Sequence, residues 1–328
     1  MLSRIVEEFA RQRVLVIGDI MLDEFVWGKV SRISPEAPVP VVQVTAESYY
    51  PGGAANVARN IREFTSVTRI AGIAGCDRYG DRLLALLRDT DIDIAGVQQD
   101  AAVTTTVKTR IIARNQQVVR VDRERKAPLT AAQTDSAIAY LDRTMDGIDA
   151  VIVADYGKGF LTQPLADFIA RKARLAGAVL AVDPHPHTSL VWTGVTAIKP
   201  NRAEAFLAAG LTAAEPVEPV SRDAALLEAG RRLLDRWGPK HLLITLGEQG
   251  MLLLEPGEPP HHIPTTAKSV FDVSGAGDTA ISVFALGLAA GATAPEAAAL
   301  ANRASGIVVG KLGTATVSKA ELLANLAS

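Results

Sequence analysis

Ala150-Val-Ile-Val-Ala154, an amphipathic stretch over 162–175 and Val179-Leu-Ala-Val182 follow one another along the chain. Apolar, β-branched runs on either side of a helical period are the pattern of a βαβ unit, whose strands pair in parallel and are buried on both faces. The pattern recurs. Val14-Leu-Val-Ile17 and His241-Leu-Leu-Ile-Thr245 read as further buried strands, and stretches near 79–90, 131–145, 222–237, 277–290 and 295–310 read as helices. The expected fold class is therefore α/β, a doubly wound, mostly parallel sheet flanked by helices, with ligands at the carboxyl ends of the strands.

Two segments break this rhythm. Residues 24–45, interrupted by Pro35, Pro38 and Pro40, and residues 104–122 alternate polar and apolar positions without an intervening helix, as half-exposed antiparallel strands do. They are expected to form a small β-strand lid inserted into a single domain spanning 1–328; an edge extension of the main sheet is the alternative. Residues 213–221, with Pro216 and Pro219, read as a surface loop.

The 328 residues carry a net charge of −2, are 48% apolar and have Lys and Arg scattered throughout, which argues for a globular protein without a general nucleic-acid footprint. The single cysteine, Cys76, cannot form an internal disulfide, which fits a reducing compartment. Residues 1–13 carry five charges and lack the apolar core of a secretory signal, and the longest stretch free of Asp, Glu, Lys and Arg, residues 279–295, is shorter than a spanning helix needs. A cytoplasmic protein that touches no membrane is expected.

Asp272-Val-Ser-Gly275-Ala276-Gly277-Asp278-Thr279 precedes an apolar helical run over 280–290. Two glycines at a helix start let successive N–H groups converge on an anion where the macrodipole is positive. Asp278 then falls in the first turn, where a carboxylate beside the anion cradle can take a proton from an attacking hydroxyl. Phosphoryl transfer to an alcohol requires that pairing. A plain glycine turn with Asp278 as a cap is the alternative. No third glycine follows at the offset of a dinucleotide fingerprint, which argues against a nicotinamide dehydrogenase.

Pro51-Gly52-Gly53-Ala54-Ala55-Asn56 opens another helix, over 54–64, and Gly18-Asp19-Ile-Met-Leu-Asp23 ends the first strand. Glycines allow a ligand close to the backbone, Asn56 can both donate and accept, and the carboxylates of Asp19 and Asp23 suit vicinal hydroxyls of a sugar. Asp19 as a turn cap and Asp23 as a solvated lid residue are the plain alternatives. Lys108, Arg110 and Arg120 lie in the lid segments, and Lys158 follows Asp155-Tyr-Gly at a strand end. Lys108 and Arg110 share a strand face, and such bases can grip a phosphate; solvated lid charges are the alternative.

Gly52-Gly53-x-x-Asn56 followed by Asp272-x-x-Gly275-x-Gly277-Asp278 resembles, in order and separation, the paired signatures of the ribokinase-like carbohydrate kinases. Gly18-Asp19-Ile-Met-Leu-Asp23, the stretch Ser31-Arg-Ile-Ser-Pro-Glu-Ala-Pro-Val-Pro40, Pro51 to Ala58, Arg114-Asn115-Gln116-Gln117 and Val309-Gly-Lys-Leu-Gly-Thr314 are similar to one branch of that family, the D-glycero-β-D-manno-heptose-7-phosphate kinases. The similarity runs from about Val14 to Glu321. It implies a ribokinase-like fold and transfer of the ATP γ-phosphoryl group to O1 of heptose 7-phosphate, a step toward the bacterial lipopolysaccharide inner core.

By that resemblance Asp278 is the base, the N–H groups of Gly275, Ala276 and Gly277 form the anion hole, and Asp19, Asp23, Gly52, Gly53 and Asn56 hold the sugar. Lys108, Arg110, Asn115, Arg120, Asp155 and Lys158 belong to the acceptor site, with Arg120 and Lys158 expected on its phosphate. For ATP, Asn201 faces the phosphates and Glu204 acts on Mg²⁺ through water; Thr245, Gly247 and Gly250 form the nucleotide turn and Asn302 meets the adenine. Asn201 and Glu204 also fit a capping box, and Gly247 and Gly250 a hairpin turn. The resemblance further implies a monovalent cation such as K⁺ near Asp272 and Gly313.

Relatives often carry Lys after the Asp-Pro found at Asp183-Pro184, where this chain has His185; His185 and His187 read as surface histidines rather than a metal site. The chain holds no His-x-Gly-His motif of the nucleotidyltransferase fused to the kinase in related proteins, so the kinase step alone is expected. A homodimer through exposed lid strands is expected too. A kinase for another sugar, or a silent sugar-binding regulator on the same fold, remains the competing reading.

Overall fold

The computed structural model describes residues 1–114, 116–267 and 270–327. Along the chain these form α1 (Leu2–Glu8), β1 (Arg13–Gly18), β2 (Ile20–Ile33), β3 (Pro40–Gly53), α2 (Ala54–Arg62), β4 (Val67–Gly75), α3 (Arg78–Asp89), β5 (Asp93–Asp100), β6 (Thr106–Ala113), β7 (Gln116–Arg123), α4 (Ala131–Thr144) and β8 (Ala150–Ala154). There follow α5 (Gln163–Ala176), β9 (Val179–Asp183), β10 (Ala197–Ile198), α6 (Arg202–Ala208), α7 (Ala224–Trp237), β11 (His241–Thr245), β12 (Met251–Leu254), β13 (His261–Ile263), α8 (Ala276–Ala289), α9 (Ala294–Val308) and α10 (Lys319–Ala327).

Among the described residues one sheet has nine strands in the order β13-β12-β11-β10-β9-β8-β1-β4-β5, parallel from β11 to β5 with an antiparallel pair at the other edge. The apolar runs build it by alternation. Val14 and Val16 face a core shared with α2, α8 and α9, while Leu15 and Ile17 face another shared with α4, α5 and α7. Helices on both faces follow, as the runs at 14–17, 150–154, 179–182 and 241–245 predict. Helix α8 is buried continuously from Asp278 to Gly287, which explains the charge-free stretch there; no helix among the described residues is long and apolar enough to cross a membrane.

The lid is a separate sheet, β3-β2-β6-β7, rather than an extension of the main one. It differs from the expected bounds and pairing. Its first hairpin runs from Ile20 to Gly53, because β1 passes into β2 across Asp19 alone and the prolines fall in the tip or on β3, an edge strand that needs fewer N–H donors. Strands β2 and β6 pair in parallel, not antiparallel, since both leave the body in the same direction. The 213–221 loop ends in a 3₁₀ turn at Val220–Arg222, and Asp223 caps α7.

Candidate active site

The carboxyl ends of β1, β8, β9 and β10 and the N-termini of α2 and α8 meet on one side of the sheet. Helix α8 starts there because Gly275 adopts a left-handed conformation (φ +81°), and a Cβ on it would come within 2.9 Å of Asn56 Nδ2. Helix α2 starts at Gly53, with φ +59° and room for no Cβ beside the Asp19 carbonyl at 2.6 Å. The two helices pack together, and their polar side chains pair across the contact. Asn60 Oδ1 accepts from Thr279 Oγ1 at 2.8 Å, and Asn56 Nδ2 donates to Asp278 Oδ2 at 2.7 Å.

Asp278 is 8% exposed. Burial raises the pKa of its carboxyl and Asp23 adds to this, while Tyr156, Asn56 and Lys199 favour the charged form. The Tyr156 hydroxyl donates to its Oδ1. The Oδ1 of Asn56, buried beside it, accepts no hydrogen bond from the described residues. That orphaned acceptor is where a ligand hydroxyl would be welcome, since an unsatisfied buried oxygen costs about 1–3 kcal/mol.

Lys199 follows β10 and is buried, its Nζ 3.1 Å from Asp183 Oδ1. Burial works against the ammonium, but Asp183, Glu204 and Asp278 outweigh it and hold its pKa above the ordinary value. A Cβ on Gly277 would lie 3.5 Å from this Nζ, so a fixed cation stands directly against the glycine turn. Of the three expected anion-hole donors, the Ala276 N–H is engaged within the turn by Val273 O at 3.2 Å.

The structure places Asp19 differently from a sugar ligand with both oxygens free. Its carboxylate accepts the N–H groups of Tyr156 (2.9 Å), Lys158 (3.0 Å) and Phe160 (3.0 Å), which fastens the turn after β8. Asp155 belongs to the same turn; burial pushes its carboxyl up to about 6 against hydrogen bonds from Thr188 Oγ1 at 2.7 Å and Gly157 N–H at 2.8 Å. Asp23 is buried against Arg110 Nη1 at 2.5 Å, and a Cβ on Gly52 would meet its Oδ2 at 2.6 Å.

The other expected acceptor bases also have acidic partners. Lys158 Nζ lies 2.5 Å from Glu124, Lys108 Nζ lies 3.4 Å from Asp122, and half-exposed Arg120 grips Asp122 with Nε and Nη2 at 2.9 and 3.0 Å. Cross-strand register puts Lys108, Arg110 and Arg120 on one lid face with Asp23 and Asp122, so the face is nearly balanced in charge. Lys158 alone of these bases also borders a cavity of about 130 Å³ beneath the lid root, with Asp19, Thr106 and Arg125. Asn115 lies outside the described residues.

On the nucleotide side, Asn201 and Glu204 form the capping box of α6: Asn201 Oδ1 accepts the Glu204 N–H at 2.9 Å and Glu204 Oε2 accepts the Asn201 N–H at 2.7 Å. Both still line a cavity of about 410 Å³ with Asp155, Lys199, Gly277 and Asp278. Thr245, Gly247 and Gly277 connect it to a second cavity of about 530 Å³, whose walls include Gly250, Asn302 and Val309. The Asn302 amide donates to Pro264 O at 2.7 Å. His187 is exposed, but His185 is half-buried and borders the cavity of about 410 Å³ rather than open surface.

Tyr156, Lys199, Asp183 and Asn60 escaped the sequence reading as functional residues. Asn56 and Asn60, four apart and so on one face of α2, whose other buried residues are Ala, Val and Ile, carried a signal for the last of these. The others carried little, because their partners are distant in sequence.

A family model for pfkB family carbohydrate kinase matches residues 11–321. The bifunctional protein HldE of Desulfatibacillum aliphaticivorans is 45% identical over 318 residues, covering 97% of this chain and 64% of that protein; HldE of Geobacter metallireducens is 41% identical over 95% of this chain and 62% of its own length. The chain thus spans a little under two thirds of the length of these curated relatives. Escherichia coli phosphofructokinase-2, solved with substrates and products, superimposes with a TM-score of 0.74 at 19% identity, covering 96% of this chain and 98% of that one. Arabidopsis thaliana ribokinase, solved with ribose and ATP, gives 0.69 at 18% identity over 96% and 98%. Those likenesses confirm the ribokinase-like fold, and the family match over nearly the whole length agrees with the paired glycine signatures that meet at Asp278: the chain belongs to the pfkB family of carbohydrate kinases.

Proposed function

We propose that this chain phosphorylates D-glycero-β-D-manno-heptose 7-phosphate at O1. The O1 oxygen attacks the γ-phosphorus of ATP, the bond from that phosphorus to the β,γ-bridging oxygen breaks, and the O1 proton passes to Asp278. Heptose 1,7-bisphosphate and ADP result. The observation that carries the transfer is Asp278 beside a glycine turn at a helix N-terminus, with the Lys199 ammonium against the same turn. The 45% identity to a bifunctional HldE supports the choice of acceptor.

In this reading the orphaned Asn56 Oδ1 accepts a sugar hydroxyl, and Asp19 serves the sugar through the turn it fastens. Lys158 and Arg125 border the cavity that would take the acceptor phosphate, Lys158 exchanging Glu124 for it. Arg120, tied to Asp122 and half exposed, is a weaker candidate. ATP fits the joined cavities, with its base toward Asn302 and its phosphates toward Lys199, Asn201 and Gly277. The Glu204 carboxylate is a hard oxygen donor in the phosphate cavity, which suits Mg²⁺ held through water. The ion, when bound, supplies positive charge to the phosphates. A monovalent cation such as K⁺ is placed near Asp272 and Gly313, which a 3.1 Å hydrogen bond brings together. We further infer a cytoplasmic protein, where both substrates occur, and a homodimer through the lid strands.

The test is ADP release against a panel of sugar phosphates. The highest kcat/KM is expected for heptose 7-phosphate, and a better ketohexose phosphate or nucleoside would transfer the same chemistry to another acceptor.

A further inference from the structure

Asp278 is held from two sides by elements that do not touch each other in sequence. Asn56, in the first turn of α2, donates to Oδ2, and Tyr156, on the turn after β8, donates to Oδ1. Two donors on the two oxygens define both the plane and the rotamer of a carboxylate. The Tyr156 backbone is itself fixed, because its N–H and those of Lys158 and Phe160 all bind Asp19. Asp155 closes the turn through the Gly157 N–H.

We propose that Tyr156 is a positioning residue for the base: its hydroxyl orients the Asp278 carboxylate and stabilises its charged form. The inference rests on reading Asp278 as the base, and it gives Asp19 a role at one remove, as the anchor of the turn that carries Tyr156. Charged groups around Asp278 pull in both directions. Lys199, beyond Gly277, favours the anion; Asp23 from the lid and Asp183 at the end of β9 oppose it, as does burial. The balance therefore depends on the neutral donors. Tyr156 can always donate, since burial and the neighbouring Asp278 hold its phenol well above the ordinary range and keep it protonated. A structural role alone, in which the hydroxyl merely finds a partner, would leave the titration of Asp278 where it is.

Tyr156→Phe removes one oxygen atom, and 3-fluorotyrosine at 156 sharpens the donor. In protein carrying ¹³C at the aspartate carboxyl carbons, with the Asp278 resonance identified by its loss in Asp278→Asn, Tyr156→Phe is expected to raise the Asp278 titration midpoint by about one pH unit. Fluorotyrosine is expected to lower it. The acidic limb of kcat/KM for ADP release with heptose 7-phosphate should move the same way in each protein. Unchanged midpoints in both would overturn the inference, whatever the rates. Failure to turn over heptose 7-phosphate would count against the acceptor assignment alone, because the titration is read without acceptor.

Discussion

Asp19 and Asp278 are both buried carboxylates at the mouth of the sheet, and their partners divide their roles. Asp19 accepts three main-chain N–H bonds and is thereby part of the scaffold; Asp278 accepts from two side chains and lines the cavity it shares with Lys199, Asn201 and Glu204. Both positions were legible in the sequence as carboxylates at the ends of a strand and a glycine turn; the main-chain partners of Asp19 were not. A carboxylate after a strand reads alike whether it meets a sugar or the N–H groups of a turn 137 residues away. Lys199 and Asp183 were less legible still, since nothing local marks them as a pair. Removing the cation should show what it offsets. In Lys199→Met, half-buried Asp183 is left without its cation, a loss of about 1–3 kcal/mol by urea unfolding at pH 8. An unpaired buried carboxyl takes up a proton more readily folded than unfolded, so stability falls as pH rises through its folded pKa and the deficit is expected to be smaller at pH 5. A deficit independent of pH would mean that Asp183 is relieved in some other way.

The elements that periodicity identified are those with an uninterrupted apolar run or a clear helical face: β1, β8, β9 and β11, and α3, α4, α5, α7, α8 and α9. Strands β4 and β5 carry Thr68, Arg69, Asp93, Gln98 and Gln99 and lie toward the sheet edge, where one side is wet, so their pattern is diluted. The lid was legible as an interruption of the alternation, but not its pairing, because strand direction is set by where the chain leaves the body. Its edges make a prediction. Strand β7 is exposed along its whole length, with Val118, Val119 and Val121 at 41–52%, and β3 exposes Val44. Open, apolar edges of this kind are ordinarily covered. Light scattering should give twice the 34.6 kDa of one chain, and Val119→Lys with Val121→Lys should halve it. A monomer before substitution would remove the lid-mediated dimer.

At the scale of the whole molecule, the doubly wound sheet turns local turns into a site. Gly53, Gly275 and the 155–160 turn come from three parts of the chain, and the carboxyl ends of parallel strands bring them to one cavity mouth. That convergence is why two weak glycine motifs, each an ordinary helix start alone, became decisive together. It also explains what the sequence withheld: the cross-site contacts of Asn56, Tyr156 and Lys199 exist only once the sheet has closed the distance. The central claim is that Asp278 takes the acceptor proton, and ADP release by Asp278→Asn with ATP and heptose 7-phosphate at saturation tests it most directly. The variant keeps the shape of the side chain and removes its basicity. A fall in kcat of about 10²–10⁴ with ATP affinity retained is the predicted result, and turnover within a few-fold of the unsubstituted protein would contradict it.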